Sequence, residues 1–308
     1  MTEVVDQLRE ACAEIAARAR QVRIVHDAIA AYAAALPIDN RALEPDPEVH
    51  LVAGGREELA AFWLTLDAIN FGSGWYPTLR KRQGRSGYST IAIGIRERFA
   101  TRGPWSAGQL EVIDAADIAA ALGQDPGHEL MELFRWSLSD LGRHLLQGAA
   151  GRFSALVDGA GGSAVALAER LGRWDCFADI SRYEELAVPF LKRAQIAAAD
   201  LMRAGVAQFH DPHRLTMFAD NLVPHVLRLD RVLEFDPELV GRIDRGELIE
   251  HGSPEEVEIR ACALHAVELI VAARPGSCAA DVDQLLWLRG AEPRYKASPR
   301  HRSRCTAY

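Results

Sequence analysis

Apolar residues recur at helical spacing through most of the chain, and Pro, Gly and Asn clusters interrupt them. Residues 2–36 are rich in Ala, Glu and Arg, break near Arg20-Gln21-Val22-Arg23, and stop at Pro37. Pro45, Pro47 and Gly54-Gly55 mark irregular connections. The spacing predicts a helix over 57–69, burying Leu59, Phe62, Trp63, Leu66 and Ile69. It runs into Asn70-Phe71-Gly72-Ser73-Gly74-Trp75-Tyr76-Pro77, a Gly-rich loop carrying aromatics. Helical patterns return over 88–99, after Trp105-Ser106-Ala107-Gly108, and over 128–158, 163–172, 189–205 and 221–234. The clearest helix start lies at Ser253. Ser253 is a natural N-cap, Pro254 suits the first helical position, and Glu256 completes a capping box. That helix, 253–273, has Val257, Ala261, Leu264 and Val271 as its core stripe and Glu256 and Arg260 as an i,i+4 pair. With no repeat and no long linker, residues 1–308 read as a single all-α domain.

Composition removes several classes of function. Of the 308 residues, 49% are hydrophobic and 25% charged, as in an ordinary globular chain with room for a concave site. There is no apolar run long enough for a membrane span. Glu3, Asp6, Arg9 and Glu10 do not fit a secretory leader. The five cysteines are odd in number and form no CxxC pair, so a reducing cytoplasm is expected. A net charge of −8 opposes direct nucleic-acid binding, yet leaves room for a small anionic ligand met by a few focused cations.

Asp220 closes Leu215-Thr216-Met217-Phe218-Ala219-Asp220 just before a helix. It suits an N-cap. It equally suits a fixed anion that stabilises the positive charge a sugar develops during glycosidic cleavage. Lys192, in Phe190-Leu191-Lys192-Arg193-Ala194-Gln195, is either a solvated lysine or a site cation that binds phosphate or keeps a carboxylate ionised. The terminal run His301-Arg302-Ser303-Arg304-Cys305 is a mobile end, or, if pinned by Tyr308, a source of cations for phosphate; Arg80, Lys81 and Arg82 are other sources. Asn70, Phe71, Trp75 and Tyr76 offer an amide and flat faces for a heterocycle, or core packing. Gly72-Ser73-Gly74 matches no phosphate loop. His210-Asp211-Pro212-His213 reads as a turn rather than a metal pair. Glu258, His265 and Glu268 share a helical side as supporting or surface groups.

In order and content, Leu66 to Phe71, Gly87-Tyr88, Phe190 to Asp200, Leu215 to Arg231, Glu247 to Ile270 and His301 to Tyr308 resemble the queuosine salvage family. Those proteins are N-glycosylases that release queuine from queuosine 5′-phosphate. The resemblance runs, with gaps, from about residue 15 to the C-terminus. It implies an all-helical fold similar to helix-hairpin-helix DNA glycosylases. It also implies hydrolysis to queuine and ribose 5-phosphate, in queuine salvage for tRNA modification, without metal or organic cofactor. The family's catalytic Asp maps onto Asp220, and a Lys important for activity onto Lys192. Asn70, Phe71, Trp75, Tyr88, Asn221, His301, Arg302 and Arg304 become candidate substrate contacts. A 7-deazapurine lacks the N7 that ordinarily accepts a proton, so more work falls on stabilising the sugar cation. Three positions depart from the family pattern: Asn221 replaces a Tyr, Gly72-Ser73-Gly74 interrupts the aromatic loop, and Ala307 replaces a Tyr. These leave open a different 7-deazapurine nucleotide as substrate. A helical nucleotide-binding protein without turnover is the other reading.

Overall fold

The break expected near residues 20–23 separates the first two helices, and a short strand fills it. The computed structural model describes residues 3–37 and 44–308. Among these, the first part of the chain forms α1 (Val4–Arg18), β1 (Val22–Ile24), α2 (His26–Ala35), α3 (Arg56–Ala68) and α4 (Gly87–Arg102). There follow α5 (Ala107–Glu111), α6 (Ala115–Leu122), α7 (Glu129–Gly148), α8 (Phe153–Asp158) and α9 (Ala164–Gly172). A hairpin of β2 (Ile180–Tyr183) and β3 (Leu186–Pro189) leads into α10 (Lys192–Arg203). The chain continues through α11 (Val223–Leu229), β4 (Leu233–Phe235), α12 (Pro237–Asp244), α13 (Pro254–Ala272), α14 (Ala279–Arg289) and α15 (Pro293–Lys296). The fold is mainly α, as expected. None of the described helices is long and apolar enough to cross a membrane.

Three predicted helices change their limits. The 128–158 stretch splits into α7 and α8, because Ala150 and Gly151 adopt φ of 49° and 74°, a left-handed turn that no helix accommodates. The 189–205 helix starts only at Lys192, since Leu186–Pro189 pair with Ile180–Tyr183. The 221–234 helix is reduced to α11, and Leu233–Phe235 pair antiparallel with Val22–Ile24. Strands of three or four residues carry too few positions for period two to stand out from helical spacing.

Two large hydrophobic cores result among the described residues, beside a small cluster of Cys305, Ala307 and Tyr308. One gathers α3 to α9 with the alanine face of α10, including Ala194, Ala197, Ala198 and Leu201. The other surrounds α13 and includes α1, α2, α11 and α14. Phe190, Met217 and Ala219 belong to the second core while Leu215 and Phe218 belong to the first, so residues 190–220 form the seam between them.

Buried polar side chains fix the irregular joints. Glu258, on α13, accepts the backbone N–H groups of Arg20 (3.0 Å), Gln21 (2.6 Å) and Val22 (3.2 Å), and the Tyr183 hydroxyl donates to it at 2.7 Å. That carboxylate satisfies the amides freed where α1 ends, a buried structural role. Asp211 accepts the Ser163 hydroxyl and the Ala164 amide, both at 2.6 Å, so the His210–His213 run is the turn that caps α9. The C-terminal segment is docked. The Gly72 N–H donates to the Tyr308 carbonyl (3.0 Å), Ile249 N–H to the Arg302 carbonyl (2.9 Å), and the Tyr308 hydroxyl to Ser303 Oγ (2.9 Å). Gly74 lies so close that a Cβ there would sit 2.3 Å from the Ser303 carbonyl oxygen. The Gly72-Ser73-Gly74 insertion is therefore the seat of the C-terminal segment.

Candidate active site

At the seam, α10 begins under strain. Leu191 is left-handed (φ 50°), a conformation unfavourable for a leucine. Asp179 holds the turn: its carbonyl accepts the Leu191 N–H at 3.2 Å, and its Oδ2 accepts the Lys192 N–H at 3.0 Å. The result aims two successive cations at the end of α3. Lys192 Nζ donates to the Asn70 carbonyl (2.9 Å), and Arg193 donates to the Ala68 carbonyl (2.5 Å). Both sit where the α3 carbonyls lack helical partners and the helix dipole is negative.

The 215–221 segment is held on the other side of the seam by three anchors. Gln195 accepts the Thr216 N–H (2.8 Å) and donates to the Phe190 carbonyl (3.0 Å), stitching the two segments together. Asp283 of α14 accepts the Phe218 N–H at 3.0 Å. Arg260 Nε donates to the Ala219 carbonyl at 2.9 Å. Asp220 follows, and its Oδ1 accepts the N–H groups of Leu222 (2.8 Å) and Val223 (3.0 Å). The capping role is therefore present, and it occupies only Oδ1.

Arg260 joins both sides. Its two terminal nitrogens donate to Asp179 at 3.0 and 2.6 Å, the same carboxylate that fixes Lys192. Its guanidinium lies 3.9 Å from the Phe190 ring centre and 4.8 Å from that of Tyr308. Burial alone would raise Glu256, but Arg260 at 3.5 Å and His251 hold that carboxyl down to about 2. Glu256 accepts the Gly252 N–H rather than that of Ser253, while Ser253 Oγ accepts the Glu256 N–H as predicted. The inward pull of Arg260 thus shifts half of the expected capping box by one residue.

Several charged groups surround Lys192. Burial pushes its ammonium down to about 8, opposed by Asp220, Asp67 and Asp179, while Arg193 adds to the fall. Asp283 is held well above the usual carboxylate range by burial and then by the nearby Asp220 charge. Asp67 and Asp200 are raised by burial, Asp67 strongly. Arg300 is half-buried and makes no hydrogen bond or ion pair among the described residues; Asp220 and Tyr76 are its electrostatic neighbours. Tyr88 donates to or accepts from His50 Nε2 at 2.9 Å and meets Trp287 edge-on at 5.5 Å. Among the described residues no three His, Cys, Asp or Glu side chains converge as metal ligands.

A match to the queuosine salvage protein family spans residues 50–308. The chain belongs to that family. A Sphaerobacter thermophilus relative, named queuosine 5′-phosphate N-glycosylase/hydrolase, is 35% identical over 94% of both chains. Relatives of the same name from Dictyostelium discoideum and Mus musculus are 32% identical, over 80% and 58% of this chain and 77% and 58% of their own.

Of the residues singled out in the sequence, the structure brings together Asp220, Lys192 and Asn70, with Tyr88 beside Asp67 and Asp200. Phe71, although next to Asn70, is wholly buried, in a T-shaped contact with Phe134 and beneath Arg193, so its ring is taken up by packing. Trp75 donates to Glu129 at 2.8 Å and stacks under Arg304, which lies 3.7 Å from the same carboxylate. Asn221 sits beside Asp220, yet its amide donates to Ser73 Oγ and the His301 carbonyl, both at 3.0 Å. It locks the C-terminal segment rather than facing the site. His301 is buried and held neutral, its imidazole pushed down to about 3. Arg302 reaches the Gly246 carbonyl at 3.5 Å. The cation of this segment that faces Asp220 is Arg300, one residue before the run that its local density of charge made conspicuous.

Arg260→Met is expected to cost about 3–5 kcal/mol of stability, because Asp179 and Glu256 are left buried without their partner. Urea unfolding measures it; a loss below 1 kcal/mol would mean that the clamp is energetically idle.

Proposed function

We propose that the chain hydrolyses the N-glycosidic bond of queuosine 5′-phosphate, releasing queuine and ribose 5-phosphate. The observation that carries the reading is the arrangement of Asp220, with Oδ1 consumed by capping, no hydrogen bond to Oδ2 among the described residues, and the Lys192 ammonium as an electrostatic neighbour. Membership of the queuosine salvage family and the printed names of its relatives give the substrate class.

As the C1′–N bond lengthens, positive charge grows on the sugar. Asp220, anchored before the reaction begins, meets that charge without reorganisation, and it can orient the water that adds to C1′. Lys192, held on the Asn70 carbonyl at the end of α3, brings its cation near this carboxylate. Arg300, with its donors unspent, is the group that suits the 5′-phosphate.

Asp220→Asn retains an oxygen to cap α11 but removes the charge. Turnover is expected to fall by about two to three powers of ten with the fold intact, read as free queuine and ribose 5-phosphate formed per unit time. A variant with parental turnover sinks the assignment.

The Lys192 ammonium sets a second expectation. Its charge is complete well below pH 8 and is lost as pH rises through about 8, so kcat should decline there. Lys192→Arg keeps a cation at alkaline pH, and whatever activity it retains should lack that decline. An identical alkaline limb in this variant would assign the titration to another group.

A further inference from the structure

The clamp leaves one buried group unexplained. Asp67 lies on α3 among Leu64, Leu66, Ala68 and Ile69, all wholly buried, and is itself 0% exposed. Neither of its carboxyl oxygens has a partner at hydrogen-bond distance among the described residues, and the Asn70 side chain is the nearby amide that acts on it. Buried polar atoms are rarely left unpaired, and an unpaired buried carboxylate is far less favourable than the protonated acid. Burial, with the Asp200 charge beside it, holds the Asp67 carboxyl well above the usual carboxylate range and favours its protonated form, against the pull of Lys192 and Arg193. Arg193 makes no ion pair with it: one terminal nitrogen donates to the Ala68 carbonyl and the guanidinium stacks on Phe71 and Phe177, while its Nε and other terminal nitrogen are themselves without a partner among the described residues.

The surroundings point this proton toward the site. Asp200, on α10, is the neighbouring carboxyl; it lies 3.4 Å from Arg203, and its side chain remains 15% exposed. Tyr88 is an electrostatic neighbour of both carboxyls, hydrogen-bonds His50 through its hydroxyl, and forms an aromatic corner with Trp287. Lys192 neighbours Asp67, Asp200 and Asp220 alike. Lys192 thus has as neighbours a carboxyl pair with raised proton affinity and, separately, Asp220, while Tyr88 and Trp287 form an apolar corner next to the pair. Two carboxyl environments are thereby separated, as acid and anion roles require.

We infer that the Asp67–Asp200 pair is the proton donor to the departing base, with the Tyr88–Trp287 corner holding the heterocycle against it. The inference rests on the glycosidic reaction proposed above. When the C1′–N bond breaks, its electron pair passes to the heterocycle. The proton of the pair moves to an acceptor oxygen or nitrogen of that heterocycle, since a 7-deazapurine has no N7, and the pair becomes anionic. Water adds its oxygen to C1′, and the proton it releases restores the pair.

Asp67→Asn tests this well, because it preserves the size and neutrality of the protonated acid and removes only the transferable proton. The substrates are queuosine 5′-phosphate and 7-deazaguanosine 5′-phosphates whose 7-substituents are increasingly electron-withdrawing. We expect a loss of about 100-fold or more on queuosine 5′-phosphate, shrinking toward parity as the leaving base improves. Asp200→Asn, at the less buried member, should show the same trend, and Asp220→Asn the same loss on every substrate. Thermal unfolding of Asp67→Asn is expected at or above the parental midpoint. A uniform loss across the series in both pair variants, or no loss, overturns the inference. Failure of the underlying function would appear in the parent itself, as absence of queuine release, so the two failures are distinguishable.

Discussion

Everything at the seam depends on the buried pair between Arg260 and Asp179. One carboxylate fixes the first amide of α10, and one guanidinium fixes the carbonyl just before Asp220. Their contact therefore sets how Lys192 and Asp220 stand relative to each other across two separate hydrophobic cores. Such a pair is costly to bury, and apolar residues of the same volume often do as well for stability. What apolar residues lack is direction. The guanidinium donates along its Nε and both terminal nitrogens while its faces take Phe190 and Tyr308, so four distant stretches of chain are fixed by one side chain.

The strained Leu191 fits the same logic. A left-handed leucine persists only where its surroundings over-determine it, and here Asp179 binds both the Leu191 and Lys192 amides. The strain turns the chain sharply from β3 into α10, which places Lys192 in the first turn with its Nζ on Asn70. The docked C-terminal segment closes the arrangement. Asn221, directly after Asp220, holds the His301 carbonyl, and Arg228 of the following helix holds the Pro299 carbonyl at 3.0 Å. Arg300 is bracketed between those two contacts, which is why a residue so near the end of the chain presents a defined cation.

The helical fold was legible because its period is carried by long segments, and the α13 start because Ser253, Pro254 and Glu256 are local signals. The short strands were not, since three or four residues cannot establish a period and their pairing is set by chain far away. Asp220 and Lys192 stood out through motifs, and the structure brings them to one place. Arg260 was visible only as the i,i+4 partner of Glu256, a contact the structure keeps at 3.5 Å; its bidentate partner, Asp179, is 81 residues away. Local charge density drew attention to His301, Arg302 and Arg304, whereas burial and the direction of the chain single out Arg300. Asp67 carried a usable signal, a lone acid within the apolar run from Leu64 to Ile69, but its unpaired oxygens appear only in three dimensions.

A crystal structure of the Asp220→Asn protein with queuosine 5′-phosphate bound tests the arrangement most directly. The anomeric carbon is expected about 3–3.5 Å from the side chain at position 220, within reach of near-attack geometry, with the phosphate toward Arg300 and the base toward Tyr88 and Trp287. A ligand bound with its sugar remote from position 220 would contradict the assignment of this seam as the catalytic centre.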